Sequence, residues 1–175
     1  MGQAGPLVSE WVTRMKVFYS FHFAEDSWRA SMVRQMGALE GNQPVSGNDW
    51  EQVKRGGDDA IGTWIRAQMA GRKCAIVLVG THTANRPWVR FEIETAWNKG
   101  LGVVGVRING LEDRTGRTSA AGANPFDHLT LNGRPLSNVV RLHTPSGFYS
   151  KDVYADIAKN LKTWVGEAVR IRASY

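Results

Sequence analysis

A single cysteine, Cys74, stands in the 175 residues. It excludes an intrachain disulfide and leaves no thiolate cluster for a structural zinc. No apolar run approaches the ~18–20 residues that a bilayer-spanning helix needs, and the N-terminus lacks the basic-then-apolar order of a signal peptide. A cytoplasmic protein with no membrane partner is therefore expected. Pro6 stands where a myristoylation signal requires Ser or Thr. No Gly-x-x-x-x-Gly-Lys-Ser/Thr segment occurs, which argues against a P-loop NTPase, and no Gly-x-Ser-x-Gly elbow supports a serine hydrolase. The four histidines, His22, His82, His128 and His143, fall at no metal-ligand spacing, so no metal is expected. Charge of one sign is nowhere concentrated. Lys+Arg number 22 against 16 Asp+Glu, for a formal net charge of +6, yet no basic run is longer than Lys54-Arg55 or Arg72-Lys73. A nucleic-acid partner is accordingly not expected, while a dispersed positive surface still favours a small anionic substrate.

What is present is a globular composition, 42% hydrophobic and 22% charged, long enough for one domain with a real core. Residues 1–14 show no clear period and read as an N-terminal extension; residues 15–175 read as a single domain. Lys16-Val17-Phe18-Tyr19-Ser20-Phe21 has the β-branched and aromatic content of a strand. Trp28, Met32, Met36 and Leu39 recur at helical spacing and predict the buried face of a helix near 25–40. A second helix is expected around 56–70, with Ile61, Ile65 and Met69 inward. Cys74 to Val79 is apolar without alternation, as in a strand covered on both faces, and Cys74 reads there as buried filler. Asn85-Arg86-Pro87 reads as a cap with Pro in the first turn, opening a helix with a Val89, Ile93, Trp97 stripe.

Val103–Ile108 and, more weakly, 139–142 are further strands, and Val153, Ile157, Leu161 and Trp164/Val165 mark a long last helix. Strands alternating with helices predict a flavodoxin-like three-layer α/β/α fold with a mostly parallel sheet of four or five strands. The Gly-, Asn- and Pro-rich stretch 110–137 is too long for a plain connection. It reads either as an ordered insertion or as a loop closing over a ligand, with a small hairpin around Asn132-Gly133.

Gly100-Leu101-Gly102-Val103-Val104-Gly105 has the letters of a dinucleotide fingerprint in the wrong place. That motif must leave a strand and open a helix, whereas here it leaves a helix and enters a strand. More informative is Asn85 through Glu94. Trp88 and Glu92 are four apart on one helix face, and Glu92 has no cation three or four residues to either side, so no local ion pair explains it. An ordinary exposed glutamate early in a helix is the plain alternative.

Val17-Phe18-Tyr19-Ser20-Phe21-His22, Asp49-Trp50-Glu51 and Asn85-Arg86-Pro87-Trp88-Val89-Arg90-Phe91-Glu92-Ile93 together resemble the TIR-like superfamily. More narrowly they resemble the bacterial TIR-like proteins of Thoeris anti-phage defence. The resemblance runs from Lys16 to Ile108 and only loosely beyond. It implies cleavage of the nicotinamide–ribose bond of NAD, which enters as substrate with no cofactor required. It also implies release of a cyclic ADP-ribose isomer or ADP-ribose conjugate that signals to a separate effector protein, with self-association as a further expectation. Glu92 is the implied catalytic residue. Ser20, Phe21, His22, Asp49, Trp50 and Trp88 are the implied substrate-binding residues, although Phe21, Trp50 and Trp88 also read as core aromatics and Asp49 as a helix cap. Two readings stand beside this one: a non-enzymatic TIR-like interaction module, and a flavodoxin-like nucleotide or flavin binder.

Overall fold

The computed structural model describes residues 15–41 and 52–175. The expected 1–14 extension, and with it Asp49 and Trp50, lies outside the described residues. The elements in chain order are β1 (Lys16–Ser20), α1 (Phe23–Gln35), β2 (Glu40–Gly41), α2 (Asp58–Met69), β3 (Cys74–Val79), α3 (Pro87–Asn98) and β4 (Gly102–Arg107). They are followed by β5 (Thr130–Leu131), β6 (Arg134–Pro135), β7 (Leu142–His143) and α4 (Ser150–Ala173).

Five strands form one sheet in the order β2-β1-β3-β4-β7, every neighbouring pair parallel. Alternation along the strands divides the core in two. Val17, Tyr19, Cys74, Ile76 and Leu78 meet Val33 of α1 and Ile157, Leu161 and Val165 of α4. Phe18, Ala75, Val77 and Val79 meet Ile61, Ile65 and Met69 of α2 and Val89, Ile93 and Trp97 of α3. This is the expected α/β/α sandwich, with five strands. β3 is buried along its whole length, which is why its sequence is apolar at every position. The strand order places the topological switch between β1 and β3, and in open α/β sheets the crevice beyond the carboxyl ends of such strands receives ligands.

Three local expectations are corrected. The inward face of α1 carries Asp26, Arg29, Ala30 and Val33, while Trp28 is 52% exposed; Met32 and Met36 are partly buried beside the core. A paired Asp and Arg occupy the inner stripe, and a hydrophobic period cannot register them. Asn85 belongs to a 3-10 turn (Thr83–Asn85), so the cap position of α3 falls to Arg86, with Pro87 first in the helix. The strand expected over 139–142 is confined to β7, because residues 136–138 form another 3-10 turn.

The 110–137 stretch is held to the domain by named contacts. Arg29 donates Nε–H to the Leu111 carbonyl at 2.8 Å and Nη2–H to the Arg117 carbonyl at 3.0 Å. Arg107 reaches the Gly122 carbonyl at 2.6 Å, and Thr81 donates to the Ala120 carbonyl at 2.6 Å. Gly122 passes so close to the Gly80 and Thr81 backbone that a Cβ would sit 2.3 Å from a carbonyl oxygen. The hairpin forms as expected: Asn132 (φ 51°) and Gly133 (φ 77°) make the left-handed turn between β5 and β6. No helix among the described residues is long and apolar enough to cross a membrane.

Candidate functional site

Ser20 is the last residue of β1 and is 1% exposed. It follows Phe18 by two, so it projects to the same side of the sheet, toward α2 and α3. There its hydroxyl donates to Glu92 Oε2 on α3. Val89, Ile93 and Trp97 pin one stripe of that helix to the core, and the face that remains turns Trp88 and Glu92 into a pocket of about 270 Å³. Phe21 and His22 enter the same pocket from the chain just beyond β1. The structure therefore brings Ser20, Phe21, His22, Trp88 and Glu92 together, at the switch point between β1 and β3.

The walls are largely aromatic. Trp88 packs edge-on against Phe91, centroids 5.5 Å apart. Phe21 stacks on Phe23 at 6.4 Å and 27°, and the Arg34 guanidinium lies over both Tyr19 (5.5 Å) and Phe21 (6.0 Å). Such surfaces accept flat rings by stacking, while the carboxyl and the cation give the cavity polarity. Arg34 on α1, Trp64 on α2, and Lys54 were not singled out from the sequence, yet all three line the pocket. Nothing local in the sequence marks them; only the packing of α1 and α2 around β1 brings them to it.

Glu92 differs from an ordinary surface glutamate. Burial pushes its carboxyl up to about 8, against the smaller opposing effect of the Ser20 hydrogen bond. At neutral pH it is thus mostly protonated. A cation brought into the pocket would favour release of that proton. Cys74, by contrast, is inert: it is fully buried in β3 and burial pushes its thiol up.

A second cluster, invisible to sequence spacing, lies next to the pocket. His22 Nδ1 is 3.3 Å from Glu25 Oε2, and His82 Nδ1 is 2.9 Å from the same oxygen. His82 belongs to the loop after β3, 57 residues from Glu25. His22 and His82 thus flank one carboxylate oxygen, a proximity that their spacing in the sequence does not show.

The fold and this switch-point pocket, with a helix-borne glutamate beside an aromatic wall, define a TIR-like α/β domain. Residues 18–113 match the family model of the Thoeris protein ThsB, TIR-like domain, and the chain belongs to that family. It is 34% identical over 119 residues to a Bacillus cereus (strain MSX-D12) protein named "Putative cyclic ADP-D-ribose synthase ThsB1". That alignment covers 65% of this chain and 62% of the relative. The family match spans β1 through β4, the part that builds the pocket, and ends just inside the 110–137 stretch.

Proposed function

We propose that this chain is an NAD-cleaving TIR-like enzyme of Thoeris defence, in which Glu92 stabilises the ribosyl cation formed as nicotinamide leaves. The observation that carries the reading is the Glu92 carboxyl, desolvated in an aromatic pocket, with a serine hydroxyl rather than a cation as its hydrogen-bond partner. The relative's printed name gives the chemistry the same direction.

The bond between ribose C1′ and the pyridinium nitrogen breaks with its electron pair going to nitrogen. A positively charged ring thereby departs as neutral nicotinamide and needs no proton. The demand falls on the ribose, which becomes an oxocarbenium-like cation. A carboxylate fixed beside it is most effective in the transition state, where that charge develops. The substrate's own cationic ring favours the ionised carboxylate, so binding moves the proton off Glu92. Phe21 and Trp88 would stack on or wall the rings, and Ser20 would orient the carboxylate.

Excluding water leaves the cation to an internal nucleophile. Attack by the lone pair of an adenine ring nitrogen, with a proton then lost to solvent from the amino group of the base, closes a cyclic ADP-ribose isomer; attack by another acceptor gives a conjugate. Either product would serve as a diffusible signal to an effector, with NAD as substrate and not as resident cofactor.

The experiment is incubation of the purified chain with NAD, alone and in lysate from phage-infected cells, following nicotinamide by chromatography and the second product by mass spectrometry. Release by the wild type that vanishes in Glu92→Gln supports the reading. Equal turnover in the two proteins overturns the assignment of Glu92, and no release by the wild type in either preparation favours an interaction module.

A further inference from the structure

Beside the pocket, three residues from the start of α1 meet one from the loop after β3. One donor atom from each of His22, Glu25 and Asp26 lies within 4.8 Å of the other two, and His82 Nδ1 reaches both oxygens of Glu25 at 2.9 and 3.0 Å. His22 is 7% exposed and Asp26 1%. Two buried atoms of this cluster, His22 Nδ1 and Asp26 Oδ2, have no hydrogen-bond partner among the described residues. Buried polar atoms are paired as a rule, so two orphans in one small cluster need a physical reason.

We propose that His22, Glu25, Asp26 and His82 bind one divalent cation of the zinc class. Two imidazole nitrogens and two carboxylates are a donor set that zinc favours; magnesium and calcium prefer all-oxygen shells of six or more ligands. A tetrahedral ion with bonds of about 2.1 Å sets its ligand atoms about 3.4 Å apart. The 3.3 Å between His22 Nδ1 and Glu25 Oε2 already matches that spacing, in a pair that lacks the alignment of a hydrogen bond. Asp26 gives Oδ1 to Arg29 at 3.1 Å, which leaves Oδ2 as its donor. Sharing Asp26 with a guanidinium weakens the site, which makes it one that fills and empties with the metal supply. His82 spends Nδ1 on Glu25 and completes the set by turning its ring from that carboxylate onto the ion, so an ion ties the loop after β3 to the chain leaving β1.

His22 also lines the pocket. With Nδ1 on the ion, its ring must carry its proton on Nε2, so the cation would fix the tautomer of a pocket residue.

The test uses the full chain stripped with a chelator and titrated with ZnCl2 by calorimetry and thermal melting, without NAD. This keeps its outcome separate from that of the proposed activity. One ion per chain is expected, raising Tm by about 5 °C or more at a hundredfold excess over Kd, with no shift from MgCl2 at the same concentration. His82→Ala and Glu25→Gln should each weaken binding about 10–100-fold, and His128→Ala, at an exposed histidine outside the cluster, should leave it intact. Both cluster residues are largely exposed, so His82→Ala decides the matter should Glu25→Gln fold poorly. Zinc affinity unchanged in His82→Ala, or no saturable binding below millimolar metal, overturns the site.

Discussion

Asp26, buried, and Glu92, half-buried at the pocket wall, stand on opposite faces of the same sheet, and in both desolvation drives the carboxyl upward. Their partners separate them. Asp26 meets Arg29 at 3.1 Å, and that arginine goes on to hold two carbonyls of the 110–117 chain. Glu92 has a serine hydroxyl and an open cavity. A buried carboxylate that gives one oxygen to a cation itself fully employed ties structure together through that oxygen. One left to a neutral hydroxyl, beside space for a ligand, keeps an electrostatic demand that a bound cation can meet.

The sharpest way to break this comparison is Glu92→Gln. The amide preserves shape and the Ser20 contact but cannot carry negative charge, so nicotinamide release should fall by about 10³-fold or more, measured in single turnovers. Arg29→Ala is the reciprocal change. It strands Asp26 and frees the Leu111 and Arg117 carbonyls, so urea melts should show a loss of about 3–5 kcal/mol. Turnover per folded molecule should change little, because no residue of 110–137 lines the pocket. Were Arg29→Ala to abolish turnover in folded protein, the division between a structural and a functional carboxyl would fail.

Ser20→Ala sharpens the contrast at the site itself. The Ser20 hydrogen bond lowers the Glu92 carboxyl, against burial. Removing it should move the ionisation of Glu92 above 8. Since the ionised form is the active one, kcat/KM of the wild type should rise with pH through about 8, and in Ser20→Ala the same limb should lie about one unit higher. The limb in kcat should sit below that in kcat/KM, because the bound pyridinium favours the ionised carboxylate. Initial rates across pH 6–10 read both.

Much of the scaffold was legible because apolar periodicity reports burial directly. β3, the inner stripes of α2, α3 and α4, and the Asn132-Gly133 turn all stand where the pattern puts them. The Gly100–Gly105 segment enters β4 rather than a helix, as its position after a helix implied. The inner face of α1 departs from the hydrophobic period for a physical reason: Asp26 and Arg29 are buried as a pair, and Trp28 is left outside. The pairing of Ser20 with Glu92 spans 72 residues, and that of Glu25 with His82 spans 57. Only the parallel register of β1 beside β3 brings these partners together, so spacing within one element could not reveal them. The 110–137 stretch looked equally like a lid; its carbonyls are instead taken by Arg29, Arg107 and Thr81, away from the pocket.

A last effect concerns stability and reads Glu92 without any substrate. A carboxyl raised from 4.5 to about 8 holds its proton more tightly folded than unfolded. The stabilisation this gives is complete below pH 4.5 and is lost progressively as pH rises through 8. The full interval corresponds to about 5 kcal/mol at ~1.4 kcal/mol per unit, and water entering the open pocket reduces it to on the order of 2 kcal/mol. Glutamine does not titrate. Glu92→Gln should therefore match the wild type near pH 5 and exceed it at pH 9, by about 5 °C in Tm. A wild type and variant that melt in parallel across this range would mean that Glu92 is ionised at no cost in the empty pocket. The electrostatic demand assigned to the site would then be absent.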